Sequence, residues 1–469
     1  MSGDPTLLSA AELSRAIHQR RLTCTAVMEA YLGRIEALNP QINAIVSLRP
    51  RSELMEEAHA ADHELEDGRS RGWLHGLPTA IKDLAEAKGL PCTWGSRIFA
   101  DFVPDADAIH VERIRAAGAI VIGKTNTPEF GLGSHTTNPL FGPTRNPHDR
   151  SRSAGGSSGG AAAALAARLL PIADGSDMMG SLRNPAAFND VVGFRPSVGR
   201  VPSRRPAELF FTPLGTNGPM ARTVEDVALL LQTMAGYDAR DPLSLADEDV
   251  RPAGPGRTEG MKIAWLGDYG GYLPFEPDVL ELDRRALETM ATMGCEIHEP
   301  APGFDMTELW SAWLVLRSFH VAHGLRPLYD DPGKRALFNR QLVFEFDRAL
   351  GTSAAEVFAA SQVRTKWYRH VCELFARYDF LVMPAAQVFP FDVELDWPKE
   401  IAGQRMDTYH RWMEVVIGPS MAGLPVAALP AGFNAQGLPN GVQVVGPPRG
   451  DRALLAFALA YDQASARRP

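Results

Sequence analysis

Apolar residues recur three or four positions apart through the N-terminal part of the chain, which is the spacing of one helix face. Ser9 followed by Glu12 is typical of a capping box at a helix start. The pattern predicts two amphipathic helices between residues 9 and 39, ending near Asn39-Pro40, and a further helix over 52–65. The apolar positions of the first two helices are Leu13, Ile17, Val27, Tyr31, Ile35 and Leu38.

Short apolar runs between turn-forming residues predict strands along the rest of the chain, alternating with helices. Strands are predicted at 119–122, 261–266, 295–298, 380–384, 425–429 and 442–445. Helices are predicted at 107–117, 161–170 and 277–293, and residues 305–376 are predicted to be mainly helical. We find no internal repeat and no clear linker, so the pattern gives no sign of a domain boundary.

Composition and charge narrow the classes of protein that fit. Of 469 residues, 45% are apolar and 22% are charged, which is ordinary for a soluble globular protein. The formal net charge of −9 argues against nucleic-acid binding, and neither a membrane span nor a signal peptide is predicted. The four cysteines are far apart and form no C-x-x-C pair. These features predict a cytoplasmic protein without structural zinc.

Three further motifs favour structural interpretations. Residues 118–125 match the nucleotide P-loop pattern G-x-x-x-x-G-K-[ST], but a predicted helix precedes them and four apolar residues lie inside, so we predict no nucleotide site. His59 and His63 have a spacing that can bind metal, yet the acidic residues around them are typical of an exposed helix face. His135 is interpreted as a hydrogen-bonding residue of a glycine-rich loop. We predict no metal and no cofactor.

Three stretches contain residues suited to nucleophilic catalysis. Residues 76–83 include a short apolar run that ends at Lys82, where burial would lower the pKa of the ammonium and make a neutral base available. A lysine that reaches out to solvent is the alternative. Residues 155–160 read GGSSGG, and residues 177–185 read D-x-x-G-S-x-R-x-P. Serines among glycines are suited to be nucleophiles or turn formers, and the spacing alone leaves both open.

Together, Lys82, the GGSSGG run and the D-x-x-G-S-x-R-x-P motif resemble the amidase signature family, and the resemblance covers nearly the whole chain from about Leu7. It implies an α/β fold of one large domain, residues 1–469, with a central mixed, twisted β-sheet surrounded by α-helices. The catalytic core would cover about 70–220, and about 260–469 would supply the substrate pocket and the remaining sheet and helices.

The resemblance also implies roles for individual residues. Ser181 would be the nucleophile, Ser157 the bridging serine after a cis Gly156–Ser157 peptide bond, and Lys82 the base of a Ser-Ser-Lys catalytic triad. The implied oxyanion-hole residues, acting through their backbone, are Met178, Met179, Gly180 and Ser181. The implied substrate-binding residues are Gly131, Leu132, Gly133 and Ser134. The implied supporting residues are Ser158, Asp177 and Arg183.

The function implied is that of an amide hydrolase acting on carbon–nitrogen bonds other than peptide bonds, with an acid and ammonia or an amine as products. Met179 stands where the family usually has glycine, so we expect its side chain to restrict which amides enter. The substrate expected is a small or medium amide, aryl or apolar in view of Met178, Met179, Phe210, Phe211 and the tryptophans.

Two alternatives stay open at this point. One is the glutaminase subunit of a glutamine-dependent tRNA amidotransferase, and the other is a non-catalytic family member acting as a binding protein. The predicted partner is a small-molecule amide alone, without nucleic acid or membrane, and a homodimer is left open.

Overall fold

The chain alternates between strands and helices over residues 3–203, 208–211 and 214–465, which the computed structural model describes. The strands are β1 Ile45–Val46, β2 Pro78–Lys82, β3 Ile120–Thr125, β4 Ile172–Asp177, β5 Val192–Arg195, β6 Thr216–Ala221, β7 Lys262–Trp265, β8 Glu296–His298, β9 Phe380–Pro384, β10 Glu400–Ile401, β11 Gln404–Arg405, β12 Val426–Phe433 and β13 Pro439–Val445. The α-helices are α1 Ala10–His18, α2 Cys24–Ile42, α3 Arg51–Glu66, α4 Ile109–Ala116, α5 Gly159–Ala166, α6 Arg183–Phe188, α7 Val224–Met234, α8 Val279–Thr292, α9 Met306–Gly324, α10 Arg326–Tyr329, α11 Pro332–Arg335, α12 Arg340–Ala349, α13 Ala354–Phe375, α14 Ile417–Ala422 and α15 Asp451–Ala464. Short 3₁₀ turns lie at Pro5–Leu7, Arg97–Phe99, Glu129–Gly131 and Arg411–Val416.

A mixed β-sheet of eight strands forms the centre of the described structure. Its strand order is β4-β6-β5-β12-β13-β9-β7-β8. Neighbouring strands from β4 to β9 are antiparallel, whereas β9, β7 and β8 run parallel. A smaller sheet has the order β1-β3-β2, and β10 and β11 form a separate hairpin. The predicted α/β architecture, with a mixed sheet surrounded by helices, is confirmed.

Helix α5 is buried where the two sheets meet, and its packing positions the loop before it. The helix has the sequence GGAAAALA, and Gly159–Leu165 are all buried. A Cβ atom on Gly160 would collide with the backbone of Asn126 and Ala44, so only glycine permits this close approach. Because Ser158 directly precedes α5, the approach also sets where the glycine- and serine-rich loop lies relative to β2 and β4.

Most predicted elements occur close to their predicted positions, but two helix ends were wrong. Helix α2 continues past Pro40 to Ile42. Because Glu36 and Pro40 are exposed, water can satisfy the carbonyl that the proline leaves without an N–H donor. The helix predicted at 161–170 ends at Ala166, since Arg168 adopts a left-handed conformation with φ of 57° and turns the chain towards β4.

The P-loop match and the pair His59 and His63, which were interpreted as structural, lie in a strand and on a helix surface. Most of the P-loop match at 118–125 forms β3, and Lys124 is fully buried there. Its Nζ donates to the carbonyl of Ala85 and lies 3.8 Å from Asp83 Oδ1. His59 and His63 are exposed on α3. Among the described residues, no group of three or more His, Cys, Asp and Glu is arranged to hold a metal ion.

Candidate active site

Four elements bring the proposed chemical residues together. Lys82 is the last residue of β2, and Ser157 and Ser158 immediately precede α5. Ser181 lies in the turn between β4 and α6. The Ser158 backbone N–H donates to the Ser181 carbonyl at 3.3 Å, which joins the two serine-bearing loops. The peptide bond between Gly156 and Ser157 is cis, as the resemblance implies.

Lys82 is buried, with 1% of its surface exposed, so a lysine reaching out to solvent was the wrong alternative. Its Nζ lies 2.8 Å from Ser157 Oγ, 2.8 Å from Ser158 Oγ and 3.0 Å from Ser176 Oγ. Burial lowers the pKa of the Lys82 ammonium from 10.5 to about 7, although Asp174 and Asp177 act in the opposite direction. The neutral amine is therefore well populated near neutral pH.

Asp174 contacts the backbone of Lys82 and a buried histidine. Its Oδ1 accepts the backbone N–H of Lys82 at 2.8 Å, and its Oδ2 lies 3.1 Å from His110 Nε2. Asp174 and His110 are both buried, and His110 in turn lies 3.4 Å from the Asn217 amide nitrogen. The sequence pattern does not reveal the pair of Asp174 and His110, because β4 and α4 are far apart in the chain.

Asp177 organises the loop that carries Ser181. Its carboxylate accepts the backbone N–H of Gly180 at 2.9 Å and that of Leu182 at 3.1 Å. It also pairs with Arg183 at 2.9 Å and with Arg195 at 3.3 Å. Burial would raise the pKa of Asp177, but the two guanidinium groups hold it well below its ordinary value. Asp177 and Arg183, both implied as supporting residues, therefore pair directly with each other.

The geometry corrects one predicted oxyanion donor. The Gly180 N–H points to Asp177 and is not available to a substrate, because Gly180 adopts a φ of 78° that turns it inward. Over the described residues, no hydrogen bond uses the N–H groups of Met178, Met179 or Ser181. These three N–H groups are the donors that an oxyanion could use.

Arg183 connects this loop to β13 and to the segment that leads into α14. It is fully buried, and its Nη1 donates to the Val416 carbonyl at 2.8 Å and to Gln443 Oε1 at 2.7 Å. Its Nη2 donates to Ser420 Oγ at 2.7 Å. Arg183 therefore has a structural position, since these hydrogen bonds hold the Ser181 loop against β13 and α14.

Part of the glycine-rich loop after β3 lines the catalytic cavity, and the rest of the loop lies outside it. Gly131, Leu132 and Gly133 line the cavity that contains Ser157 and Ser181. Ser134, which was also predicted to bind substrate, does not line it, since its hydroxyl donates to the Gly156 carbonyl at 2.8 Å and it is 1% exposed. His135 bonds Ser153 Oγ and the Val393 carbonyl, as predicted for a structural loop residue.

The cavity has a volume of about 340 Å³ and a largely apolar wall. Met178 and Met179 both line it, whereas Phe210 and Phe211 are exposed and do not. Trp310 and Trp313 belong to the core, where packing holds them away from the cavity. Trp94, one of the tryptophans from which an aryl or apolar substrate was expected, does line it. The lining residues that the sequence did not indicate include Leu84, Phe130, Leu214, Asn217, Arg317, His320, Val321, Leu325 and Met413.

A model of the family described as Amidase matches residues 26–455 of this chain. The chain belongs to the amidase signature family. Relatives match over nearly all of its length: it is 35% identical over 461 residues to an acylamidase of Rhodococcus erythropolis, covering 97% of this chain and 95% of the relative. It is 37% identical over 480 residues to one subunit of the glutamyl-tRNA(Gln) amidotransferase of Moorella thermoacetica, covering 98% of this chain and 96% of the relative.

A solved amidase structure agrees with the fold. A bacterial aryl acylamidase of the amidase signature family superposes with a TM-score of 0.92 and 30% identity, covering 98% of this chain and 96% of the other. The chain is therefore an amide hydrolase acting on carbon–nitrogen bonds, and it belongs to a family that acts on small amides. In the described part of this amidase, none of the helices has the length and apolar character needed to span a membrane.

Proposed function

We propose that this amidase hydrolyses a small or medium amide with an aryl or apolar group, through an acyl-enzyme on Ser181. The observation that carries the proposal is Lys82, buried 2.8 Å from Ser157 Oγ with its pKa lowered to about 7, beneath a cavity that Ser157 and Ser181 both line. A base of that pKa is half unprotonated at neutral pH, which suits general-base catalysis.

In the proposed first half-reaction, neutral Lys82 takes the proton of Ser157 while Ser157 takes the proton of Ser181. The Ser181 Oγ forms a bond to the amide carbonyl carbon, and the carbonyl oxygen becomes an oxyanion. The N–H groups of Met178, Met179 and Ser181 are the donors proposed for it, and losing one such donor typically costs about 10²–10³ in rate.

Collapse of this intermediate breaks the carbon–nitrogen bond. The proton held by Lys82 returns through Ser157 to the departing nitrogen, which leaves as ammonia or an amine. Water then attacks the acyl carbon and gives its proton to the same relay. The bond between that carbon and Ser181 Oγ breaks, the acid is released, and the relay returns the proton to Ser181. Ser158 and Ser176 accept hydrogen bonds from Lys82 Nζ and are proposed to keep the amine directed at Ser157.

The choice of an aryl or apolar substrate is supported by the cavity wall. Trp94, Phe130, Leu132, Leu214 and Met413 give it large apolar surfaces, and apolar groups are favourably transferred from water to such surfaces. The similarity to an acylamidase and an aryl acylamidase points the same way. We further propose a cytoplasmic location, which the four unpaired cysteines support and cell fractionation would test.

A glutaminase role is the second candidate, favoured by 37% identity to a component of a glutamyl-tRNA(Gln) amidotransferase. Glutamine is small and polar, whereas most of the cavity wall is apolar. Hydrolysis of glutamine in preference to anilides, with a partner protein that co-purifies, would establish that role instead.

The test is a hydrolysis screen over primary amides, anilides, amino-acid amides and glutamine, with release of ammonia or amine measured. We expect Ser181→Ala to abolish hydrolysis and fluorophosphonate labelling. Ser197→Ala is the matched control, because Ser197 is also buried and its hydroxyl has no hydrogen-bond partner among the described residues. Activity of Ser181→Ala above a few per cent would contradict the nucleophile assignment, and failure of the native protein to label would favour a non-catalytic protein.

A further inference from the structure

Arg317 is a buried arginine in the wall of the catalytic cavity. It projects from α9, is 4% exposed, and shares that wall with His320, with Val321, one helical turn further on, and with Leu325. A buried charged group in a largely apolar wall is costly unless it is paired. Packing alone therefore does not account for a charged arginine in this wall.

Three side chains hold the guanidinium in one orientation. Arg317 Nε lies 3.2 Å from Glu345 Oε1, an ion-pair contact in which Nε makes no hydrogen bond to the described residues, and Nη2 donates to the hydroxyl of Tyr409. Tyr409 donates to the same Glu345 oxygen at 2.6 Å, and Ser318 donates to the other at 2.7 Å. Burial alone would lower the pKa of Arg317, but Glu345 raises it above its ordinary value. The guanidinium therefore stays charged and its N–H groups stay donors.

The third nitrogen, Nη1, lacks a strong acceptor. Within the described residues its hydrogen-bond contact is the Met178 sulfur at 3.7 Å, and a thioether is a weak acceptor. Met178 itself lies three residues before Ser181 and lines the cavity. A buried donor without a good acceptor is costly, so a substrate atom that accepts from Nη1 would gain stabilisation there.

The surrounding charges indicate which kind of acceptor fits. Glu345 is fully buried against Arg317, so the pair is neutral as a unit. A substrate carboxylate at Nη1 would bring a third charge, without a counter-ion of its own, into a buried site. A neutral oxygen or nitrogen acceptor adds a charge-assisted hydrogen bond without that penalty.

We propose that Arg317 is a specificity-determining residue that donates from Nη1 to a neutral acceptor, such as a ketone or ether oxygen, on the amide substrate away from the scissile bond. This inference rests on the proposed function of the cavity. It makes the preferred substrates apolar amides that carry one further acceptor. Glu345 and Tyr409 are positioning residues, since they act through Arg317.

The test compares amides that differ only in that acceptor. Hexanamide and 5-oxohexanamide vary the acyl side, and N-pentylacetamide and N-(4-oxopentyl)acetamide vary the amine side. We expect the native enzyme to prefer the ketone in at least one pair by about tenfold to hundredfold in kcat/KM, the range of a charge-assisted hydrogen bond. No preference in either pair overturns the inference. A stronger preference for the monoamide of glutaric acid over 5-oxohexanamide overturns the assignment of a neutral acceptor.

Variants then assign the preference to Arg317. Arg317→Met combined with Glu345→Gln removes both charges together and is expected to reduce the ketone preference to about onefold. Val321→Ala, on the same wall, is the matched control and should change both members of a pair by the same factor. A preference that survives the double variant would overturn the role of Arg317. Thermal unfolding and fluorophosphonate labelling of Ser181 check each variant, and the preference of the native enzyme decides the matter if the double variant does not fold.

Failure of the proposed function can be told apart from failure of this inference. If the native protein hydrolyses no amide of the screen, the proposed function fails. In that case calorimetry measures the dissociation constants of the two amide pairs with Ser181→Ala protein. Tighter binding of a ketone than of its partner amide supports the role of Arg317, and equal binding rejects it.

Discussion

Replacing Asp174 by asparagine is expected to move the pH profile of amide hydrolysis to lower pH. The carboxylate of Asp174 raises the pKa of Lys82, opposing the larger effect of burial. Asparagine retains an oxygen that can accept the Lys82 backbone N–H and removes the negative charge. Without that charge the ammonium is less favoured, so the pKa of Lys82 falls and the neutral base appears at lower pH.

The size of the effect follows from the lysine's position. With a pKa of about 7, about one-tenth of Lys82 is neutral at pH 6 and about nine-tenths at pH 8, so native kcat/KM should rise roughly tenfold over that range. A decrease in this pKa of about one unit, the lower end for losing a neighbouring opposite charge, would make about half of Lys82 neutral at pH 6. Relative to its own plateau, the variant should then be about fivefold more active at pH 6 than the native enzyme.

The measurement is kcat/KM from pH 5 to 9 at constant ionic strength, with each profile normalised to its plateau because a weaker base also lowers the maximal rate. Asp283→Asn is the matched control. Asp283 is fully buried on α8, burial raises its pKa well above the ordinary value, and its oxygens have no partner among the described residues. A midpoint that stays unchanged or moves upward in Asp174→Asn would refute the reasoning. A flat native profile between pH 6 and 8, with chemistry rate-limiting, would refute Lys82 as the base.

Three other predictions concern the loop of Ser181 and the chemistry. Met179→Gly should raise kcat/KM for bulky amides relative to small ones, by an amount equivalent to about 1–3 kcal/mol of discrimination, because it removes volume from the cavity wall. A uniform decrease in kcat/KM for all the amides would instead assign Met179 to holding the loop. Asp177→Asn should lower the free energy of unfolding by about 3–5 kcal/mol in urea titrations, because it leaves Arg183 and Arg195 buried with a neutral partner, and a change below about 1 kcal/mol would argue against this. A chelator should leave hydrolysis unchanged, since the proposed steps use only Lys82, Ser157 and Ser181; loss that zinc restores would contradict it.

The sequence was most informative where chemistry and local pattern coincide. Lys82 ends a buried strand because an apolar run precedes it, and its lowered pKa follows from that burial. The D-x-x-G-S-x-R-x-P motif indicated Asp177 and Arg183 as supporting residues, and they pair with each other within one short segment. These features depend on neighbours within the chain, and a sequence contains that information directly.

The sequence did not predict features that depend on tertiary packing or on the direction of a backbone N–H group. The motif names Gly180 but not the direction of its N–H, which a positive φ turns towards Asp177. Ser134 belongs to a suitable loop, yet its side chain bonds the Gly156 carbonyl. Arg317 appeared only as one arginine in an apolar helical stretch; that isolated charge was the signal that could have drawn attention to it. Its partner Glu345 lies on another helix, and periodicity does not reveal such a pairing.

The division of labour between the sheet and α9 has a consequence for how this enzyme can change over evolution. Lys82, Ser157 and Ser181 come from segments fixed by β2, α5 and β4, while Arg317 and Val321 come from α9. Mutations on α9 can therefore alter which amides are accepted without disturbing the nucleophile or its base. Libraries randomised at Val321 should yield variants with new substrate ranges that still label at Ser181, whereas Arg317 has to change together with its buried partner Glu345.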